Sequence, residues 1–271
     1  MANVDLKFYS YYLGMESSAQ VILPDSRPYK MQRNRDKKHP VLYLLHGQFD
    51  DDTSYIRKSL IETYVQDLDL IIVMPNVHRS FYTNCRAGHE YYNFIVDELP
   101  VIIENFFPAS EKREDRFIAG LSMGGYGALK AALNSPEKYA ACASMSGAID
   151  PIESNTNREA KEYPVPDMEE NIRNVFGSEA EFRNSENDLY FRLRELDKRN
   201  VPKPRFLLTC GTDDFLLEQN RKFIQVFRQE IKTIDCIFKE SPGSHNWSYW
   251  NRTLIDVLGF LGFTHAGAEA D

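Results

Sequence analysis

Cysteine is scarce in this chain, and its spacing forms no motif. Four thiols, Cys85, Cys142, Cys210 and Cys236, are spread over 271 residues without a C-x-x-C pair, and three of them lie in apolar runs where a reduced thiol acts as a small hydrophobe. A disulfide framework and a structural zinc site are therefore not expected. Basic residues are also in deficit: 32 Lys+Arg face 40 Asp+Glu, a formal charge of −8, and the short basic stretch 33–38 is diluted by Asn34 and Asp36. Such a surface repels phosphate backbones, so nucleic acid is not an expected partner. Long hydrophobic runs are missing as well. The longest aliphatic stretch, 70–74, falls far short of the ~20 residues that cross a bilayer, so no membrane association is expected. Residues 1–7 alternate polar and apolar types without the basic start, apolar run and small-residue cleavage site of a signal peptide, which makes the cytoplasm the expected address.

Apolar residues make up 42% of the chain, and a chain of this length buries roughly 70 to 75% of its unfolded surface without staples. One domain over 1–263 is expected, with a frayed tail at 264–271. Two β-rich stretches, 4–13 and 19–23, flank Gly14-Met15-Glu16-Ser17-Ser18 and read as an antiparallel hairpin. The rhythm then changes to short apolar runs at 41–45, 70–74, 116–119, 140–144, 205–210 and 236–239, each ending in turn residues, as buried parallel strands do. Helical spacing fills most intervals, at 91–107, 125–133, 217–231 and 250–261. The pattern predicts an α/β fold with a mostly parallel sheet, helices on both faces, and a ligand site beyond the C-terminal strand ends. A polar stretch at about 150–188, carrying Pro151, Pro164, Pro166 and Gly177, interrupts the rhythm and reads as an insertion.

Directly after the run 116–119 stands Gly120-Leu121-Ser122-Met123-Gly124, a G-x-S-x-G pentapeptide placed between a strand and a helix. That context gives the motif its meaning: a tight strand-to-helix turn lifts the serine above the sheet edge, and glycines are needed where a side chain would meet the neighbouring strand or helix. Ser122 is the candidate nucleophile, and the Met123 N–H, at a helix start, is a candidate oxyanion donor. This fold requires the chain order serine, acid, histidine. Of six histidines only His245 and His265 follow Ser122; His265 sits in the polar tail, so His245 is the candidate base. The acid should leave the end of the preceding strand, where both Asp213 and Asp214 stand; the other of the two would be a loop or capping charge. His46-Gly47-Gln48 follows the run 41–45, which makes Gln48 N–H the second candidate donor and His46 a prop for that loop. Asp50-Asp51-Asp52 lacks other spaced ligands and reads as a solvated loop, so neither metal nor cofactor is called for.

With these residues in place the sequence resembles the esterase D-like branch of the α/β hydrolases, nearest to bacterial tributyrin esterases and related to S-formylglutathione hydrolases and feruloyl and acetylxylan esterases. The resemblance covers most of the chain. It rests on Leu44-Leu45-His46-Gly47, Val73-Met74-Pro75-Asn76, Phe81-Tyr82-Thr83, the stretch 117–127 around Ser122, Cys210-Gly211-Thr212-Asp213-Asp214-Phe215-Leu216 and His245-Asn246-Trp247, in the family's order. It implies an α/β-hydrolase fold and hydrolysis of short-chain carboxylic esters through an acyl-enzyme, with Ser122 as nucleophile, His245 as base, Asp214 as acid, and Gln48 and Met123 amides holding the oxyanion. The expected partner is a small-molecule ester of a simple alcohol or sugar, and a homo-oligomer is compatible with the sequence. Phe49, Tyr82 and Trp247 are expected to line the pocket. Gln48-Phe49-Asp50 departs from the small Gly/Ser-rich loop usual after His-Gly, and Phe81 stands where a Trp is common. Other readings on the same triad are an S-formylglutathione hydrolase, a feruloyl or acetylxylan esterase, and an acyltransferase like the exported mycolyltransferases. A prolyl-oligopeptidase-type peptidase would need a further large domain, and a non-catalytic binding protein would normally lack a triad member.

Overall fold

A computed structural model describes residues 1–24, 37–157 and 167–264. Eight strands, β1 (Ala2–Ser10), β2 (Met15–Leu23), β3 (Val41–Leu45), β4 (Ile71–Pro75), β5 (Arg116–Leu121), β6 (Ala141–Met145), β7 (Arg205–Gly211) and β8 (Cys236–Ser241), form one sheet in the order β1-β2-β4-β3-β5-β6-β7-β8. β1 and β2 pair antiparallel, β2 joins β4 antiparallel, and every pair from β4 to β8 is parallel. The expected α/β-hydrolase architecture is present.

The helices, in chain order, are α1 (Ser54–Lys58), α2 (Ile61–Val65), α3 (Tyr91–Asn93), α4 (Leu99–Phe106), α5 (Met123–Asn134), α6 (Pro151–Asn157), α7 (Met168–Phe176), α8 (Glu179–Phe182), α9 (Leu189–Lys198), α10 (Leu217–Glu230) and α11 (Trp247–Leu261). They cover both faces because the central strands are apolar on both. In β3, Val41, Tyr43 and Leu45 join one core with residues of α4, α5, α9 and α10, whereas Leu42 and Leu44 join the other with residues of α2 and α11. Alternate strand residues pointing to opposite faces produce this division.

Two differences from the sequence reading have a clear physical cause. The hairpin turn comes earlier, at residues 11–14, because Gly14 (φ 65°) takes the left-handed conformation and its N–H closes onto Ser10 O at 2.9 Å. Glu98 anchors this turn, accepting from Ser10 Oγ at 2.5 Å and Tyr11 N–H at 2.6 Å. The helix expected over 91–107 is interrupted by a wider π turn at Phe94–Glu98, in which Leu99 N–H reaches back to Phe94 O. Pro100 explains it: without an N–H it cannot bond the carbonyl four residues earlier, and Val96 O accepts instead from Lys138 Nζ at 2.9 Å.

The stretch at 150–188 contributes α6, α7 and α8; its residues 158–166 lie outside the described ones, as does the expected frayed tail apart from Thr264. Ile172, Val175 and Phe176 of α7 are buried, and Phe176 packs in perpendicular ring contacts on Phe81, Tyr126 and Phe182. Among the described residues no helix is long and apolar enough to cross a membrane.

Candidate active site

The site starts from the turn between β5 and α5. Ser122 caps α5 with φ 54° and ψ −116°, a strained conformation for a residue bearing a Cβ. Its backbone is fixed from three sides: its N–H donates to Met145 O at 2.9 Å, and its carbonyl accepts from Tyr126 N–H and Ala148 N–H, each at 3.1 Å. The flanking glycines are required by space rather than flexibility. A Cβ at Gly120 would lie 2.4 Å from the Gly124 backbone, and one at Gly124 would lie 2.2 Å from Leu45 O. β5, β3 and α5 therefore approach more closely than any side chain allows, and Ser122 Oγ is pushed above the sheet edge.

β7 and β8 deliver the partners at the same edge. Asp214 follows β7 and is buried, whereas Asp213 beside it is exposed and uses its N–H to bond Gly243 O at 2.9 Å. His245 follows β8 and precedes Asn246, whose side chain caps α11 by accepting from Tyr249 N–H at 3.0 Å. His245 Nε2 lies 2.9 Å from Ser122 Oγ, and its Nδ1 lies 3.1 and 3.0 Å from the two Asp214 carboxylate oxygens. Three residues separated by 92 and 31 positions in the chain thus form one hydrogen-bonded relay from hydroxyl to imidazole to carboxylate. With the proton on Nδ1 facing Asp214, Nε2 is left as an acceptor for the serine proton.

The loop after β3 supplies the opposite wall. A Cβ at Gly47 would stand 3.8 Å from Ser122 Cβ, so the backbone of this loop runs directly beside Ser122. His46 is fully buried; its Nδ1 faces Gly47 O at 2.7 Å, and its Nε2 accepts from Val77 N–H at 3.1 Å. That pattern demands the neutral Nδ1–H tautomer, and burial pushes the imidazole pKa below its ordinary value. His46 therefore braces the loop. The Gln48 side chain also reaches outward, with Nε2 3.2 Å from Met168 Sδ and 3.3 Å from Asn171 Oδ1, tying the loop to α7. Met123 N–H is among the first amides of α5, which have no carbonyl partner within the helix.

The three expected pocket residues separate. Phe49 is exposed, and Trp247 is half-buried, packed perpendicular to Tyr55 and Trp250 with Lys58 Nζ 5.5 Å from its ring centre. Tyr82 is not at the mouth: it is 1% exposed, lies beneath the loop, and donates its hydroxyl to His46 O at 2.9 Å. Its φ of 54°, with Phe81 at 52°, turns the chain inward, and Gly127 of α5 makes room for its ring. Of the aspartate run, Asp50 pairs with Lys58 and Asp51 with Arg57. Two contacts of His245 went unread in the sequence. Trp250 stands perpendicular to the imidazole at 4.9 Å between ring centres, and Phe215 lies 4.5 Å away. In the sequence Trp250 reads only as a helix residue, and Phe215 only as the neighbour of Asp214.

Comparison with known proteins finds esterases along nearly the whole chain. An acetyl esterase of Caldicellulosiruptor saccharolyticus is 29% identical over 265 residues, covering 96% of this chain and 98% of its own. Among solved structures, a fluorophosphonate-binding serine hydrolase of Staphylococcus aureus with substrate bound shares 31% identity at a TM-score of 0.84. An S-formylglutathione hydrolase of the same organism shares 31% identity at a TM-score of 0.81; each alignment covers 96% of this chain and 98% of the other. The family model described as "Putative esterase" matches residues 10–261. The chain belongs to this esterase family and is a carboxylic ester hydrolase of the serine hydrolase class.

Proposed function

We propose that the protein is a cofactor-free serine carboxylesterase acting in the cytoplasm on short-chain acyl esters of small alcohols or sugars, of the tributyrin or acetate type. The observation that carries this reading is the 2.9 Å contact between Ser122 Oγ and His245 Nε2, continued on Nδ1 by the Asp214 carboxylate. His245 takes the hydroxyl proton as Ser122 Oγ attacks the ester carbonyl, and the Gln48 and Met123 amides hold the oxyanion that forms. Asp214 holds the imidazole in the Nδ1–H tautomer and stabilises the imidazolium. Collapse releases the alcohol with the proton from His245 and leaves an acyl group on Ser122, which water removes by the same route in reverse.

The preference for short acyl groups is supported by the likeness to an acetyl esterase and by the ties from Gln48 to Met168 and Asn171 of α7, which close off the loop beside Ser122. A test combines a fluorophosphonate probe with a panel of p-nitrophenyl esters. The probe is expected to label Ser122, and kcat/KM is expected to fall from acetyl and butyryl to palmitoyl esters. A steady rise toward palmitoyl would reject the short-acyl reading, and labelling elsewhere would reject Ser122 as nucleophile. Including S-formylglutathione and feruloyl esters in the panel ranks the neighbouring activities.

A further inference from the structure

The catalytic histidine has two aromatic neighbours of opposite character. Trp250, 6% exposed, is fixed from below: its indole N–H donates to Ser146 Oγ at 3.2 Å, and Ser146, with φ 50°, is itself held by its N–H on Thr209 O at 2.7 Å. Phe215, 59% exposed, has its ring centred 4.5 Å from the imidazole with the two planes inclined at 51°. The rigid turn that also presents Asp214 thus holds an exposed phenyl ring against the imidazole. Asp214 Oδ1 accepts from Leu216 N–H at 2.8 Å, so the residues on both sides of Phe215 are fixed and the ring has a defined place.

We propose that Phe215 is the residue that selects the alcohol portion of the ester, by packing against the leaving group during acylation. The proposal rests on the esterase reading above. In acylation the Ser122 Oγ–acyl carbon bond forms, the bond from acyl carbon to alcohol oxygen breaks, and the proton taken from Ser122 passes from His245 Nε2 to that oxygen. The departing oxygen must therefore sit within hydrogen-bond reach of Nε2, about 3 Å away. Its substituent then extends from the imidazole toward solvent, and the exposed ring beside the imidazole is Phe215. The carbonyl oxygen faces the Gln48 and Met123 amides, and the acyl group takes the remaining direction from the same carbon. Planar or apolar alcohols gain the aromatic contact, and methanol does not reach it. Once the alcohol has left, Phe215 has no substrate to touch, so hydrolysis of the acyl-enzyme is indifferent to it.

This separates alcohol selection from mere support of His245, because the histidine acts in both half-reactions. The test compares wild type, Phe215→Ala and Phe215→Leu on phenyl acetate and methyl acetate, which share one acetyl-enzyme. Rapid-quench mass spectrometry follows the formation and decay of the acetyl group on the protein, with rates expressed per site titrated by a fluorophosphonate. Phe215→Ala is expected to lower the phenyl-to-methyl ratio of kcat/KM roughly tenfold, the scale of one aromatic contact, while decay of the acetyl-enzyme changes less than about twofold. Phe215→Leu, which keeps an apolar side chain without the ring, is expected to fall between. Equal losses in acetylation and deacetylation would overturn the proposal in favour of a support role for His245, and an unchanged ratio would overturn it outright. If wild type itself formed no acetyl-enzyme, the esterase reading would fail instead, and the two failures are distinguishable.

Discussion

Asp213 and Asp214 are the same residue type at adjacent positions, and what distinguishes them is which way each leaves β7. Asp214 is buried with both oxygens near His245 Nδ1, while Asp213 is exposed and contributes only its backbone to the Gly243 contact. Asp214→Asn is expected to preserve the fold but present the wrong imidazole tautomer, with a loss of up to about 10⁴ in kcat; Asp213→Asn is expected to cost less than about tenfold. Steady-state kinetics on both variants, compared at matched thermal stability, checks the ranking, and the reverse order would move the acid to Asp213. At this scale the sequence was uneven. Ser122 was legible because its glycines have only one spatial explanation, and His245 because chain order eliminates the others. The choice between the aspartates was not legible from side-chain chemistry, since it depends on the direction of a backbone turn. Tyr82 was misplaced for a related reason: its positive φ, which turns it beneath the loop, leaves no mark in an aromatic residue.

Among the elements, α5 does more than carry the Ser122 turn. Lys130, two turns after Ser122, is fully buried, with Nζ 3.0 Å from Thr83 Oγ1 and 2.5 Å from Asn187 Oδ1, and 4.8 Å from the centre of the Tyr92 ring. It pins α5 to the turn that carries Tyr82 and to the segment before α9. Burial pushes its ammonium down from 10.5 to about 7, with the charges of Glu186 and Cys85 acting weakly in the other direction. The folded-state value lies below the unfolded one, so between pH 7 and about 10 the unfolded chain binds the extra proton and folding gains stability as pH rises. Lys130→Met lacks this gain. Wild-type stability relative to Lys130→Met, from urea denaturation at several pH values, is therefore expected to increase from pH 7 to 10, by up to about 1.4 kcal/mol for each unit of pKa displacement. A constant or decreasing difference would show that the amine is charged throughout. A lysine inside an apolar helical pattern gives no hint of this in the sequence, because what surrounds it comes from residues 83, 92 and 187. The π turn before Pro100 is a similar case: the proline was visible, but the Lys138 group that takes up the freed carbonyl comes from another part of the chain.

For the whole molecule, the alternation of apolar runs with helical spacing was enough to specify a parallel sheet covered on both sides, because strands buried on both faces must be continuously apolar. The order of those strands was beyond it, and strand order is what assembles the site. β5 lies between β3 and β6, so the Ser122 turn is flanked on one side by the loop bearing Gln48 and on the other by the strands leading to Asp214 and His245. The Gly124 contact with Leu45 O and the Ser122 hydrogen bond to Met145 O hold the turn to both neighbours. The stretch at 150–188 adds a connection from Gln48 to α7, which its polar composition conceals.

Covalent catalysis at Ser122 is the claim on which the rest depends, and acid-quenched mass spectrometry after mixing with p-nitrophenyl acetate addresses it directly. The expected result is one acetyl group per chain, on the peptide containing Ser122, forming and decaying at rates that account for p-nitrophenol release. In Ser122→Ala that adduct should be missing and kcat should fall by on the order of 10⁴ to 10⁶. Full turnover by Ser122→Ala, or an acetyl group carried by any other residue during turnover, would contradict the account.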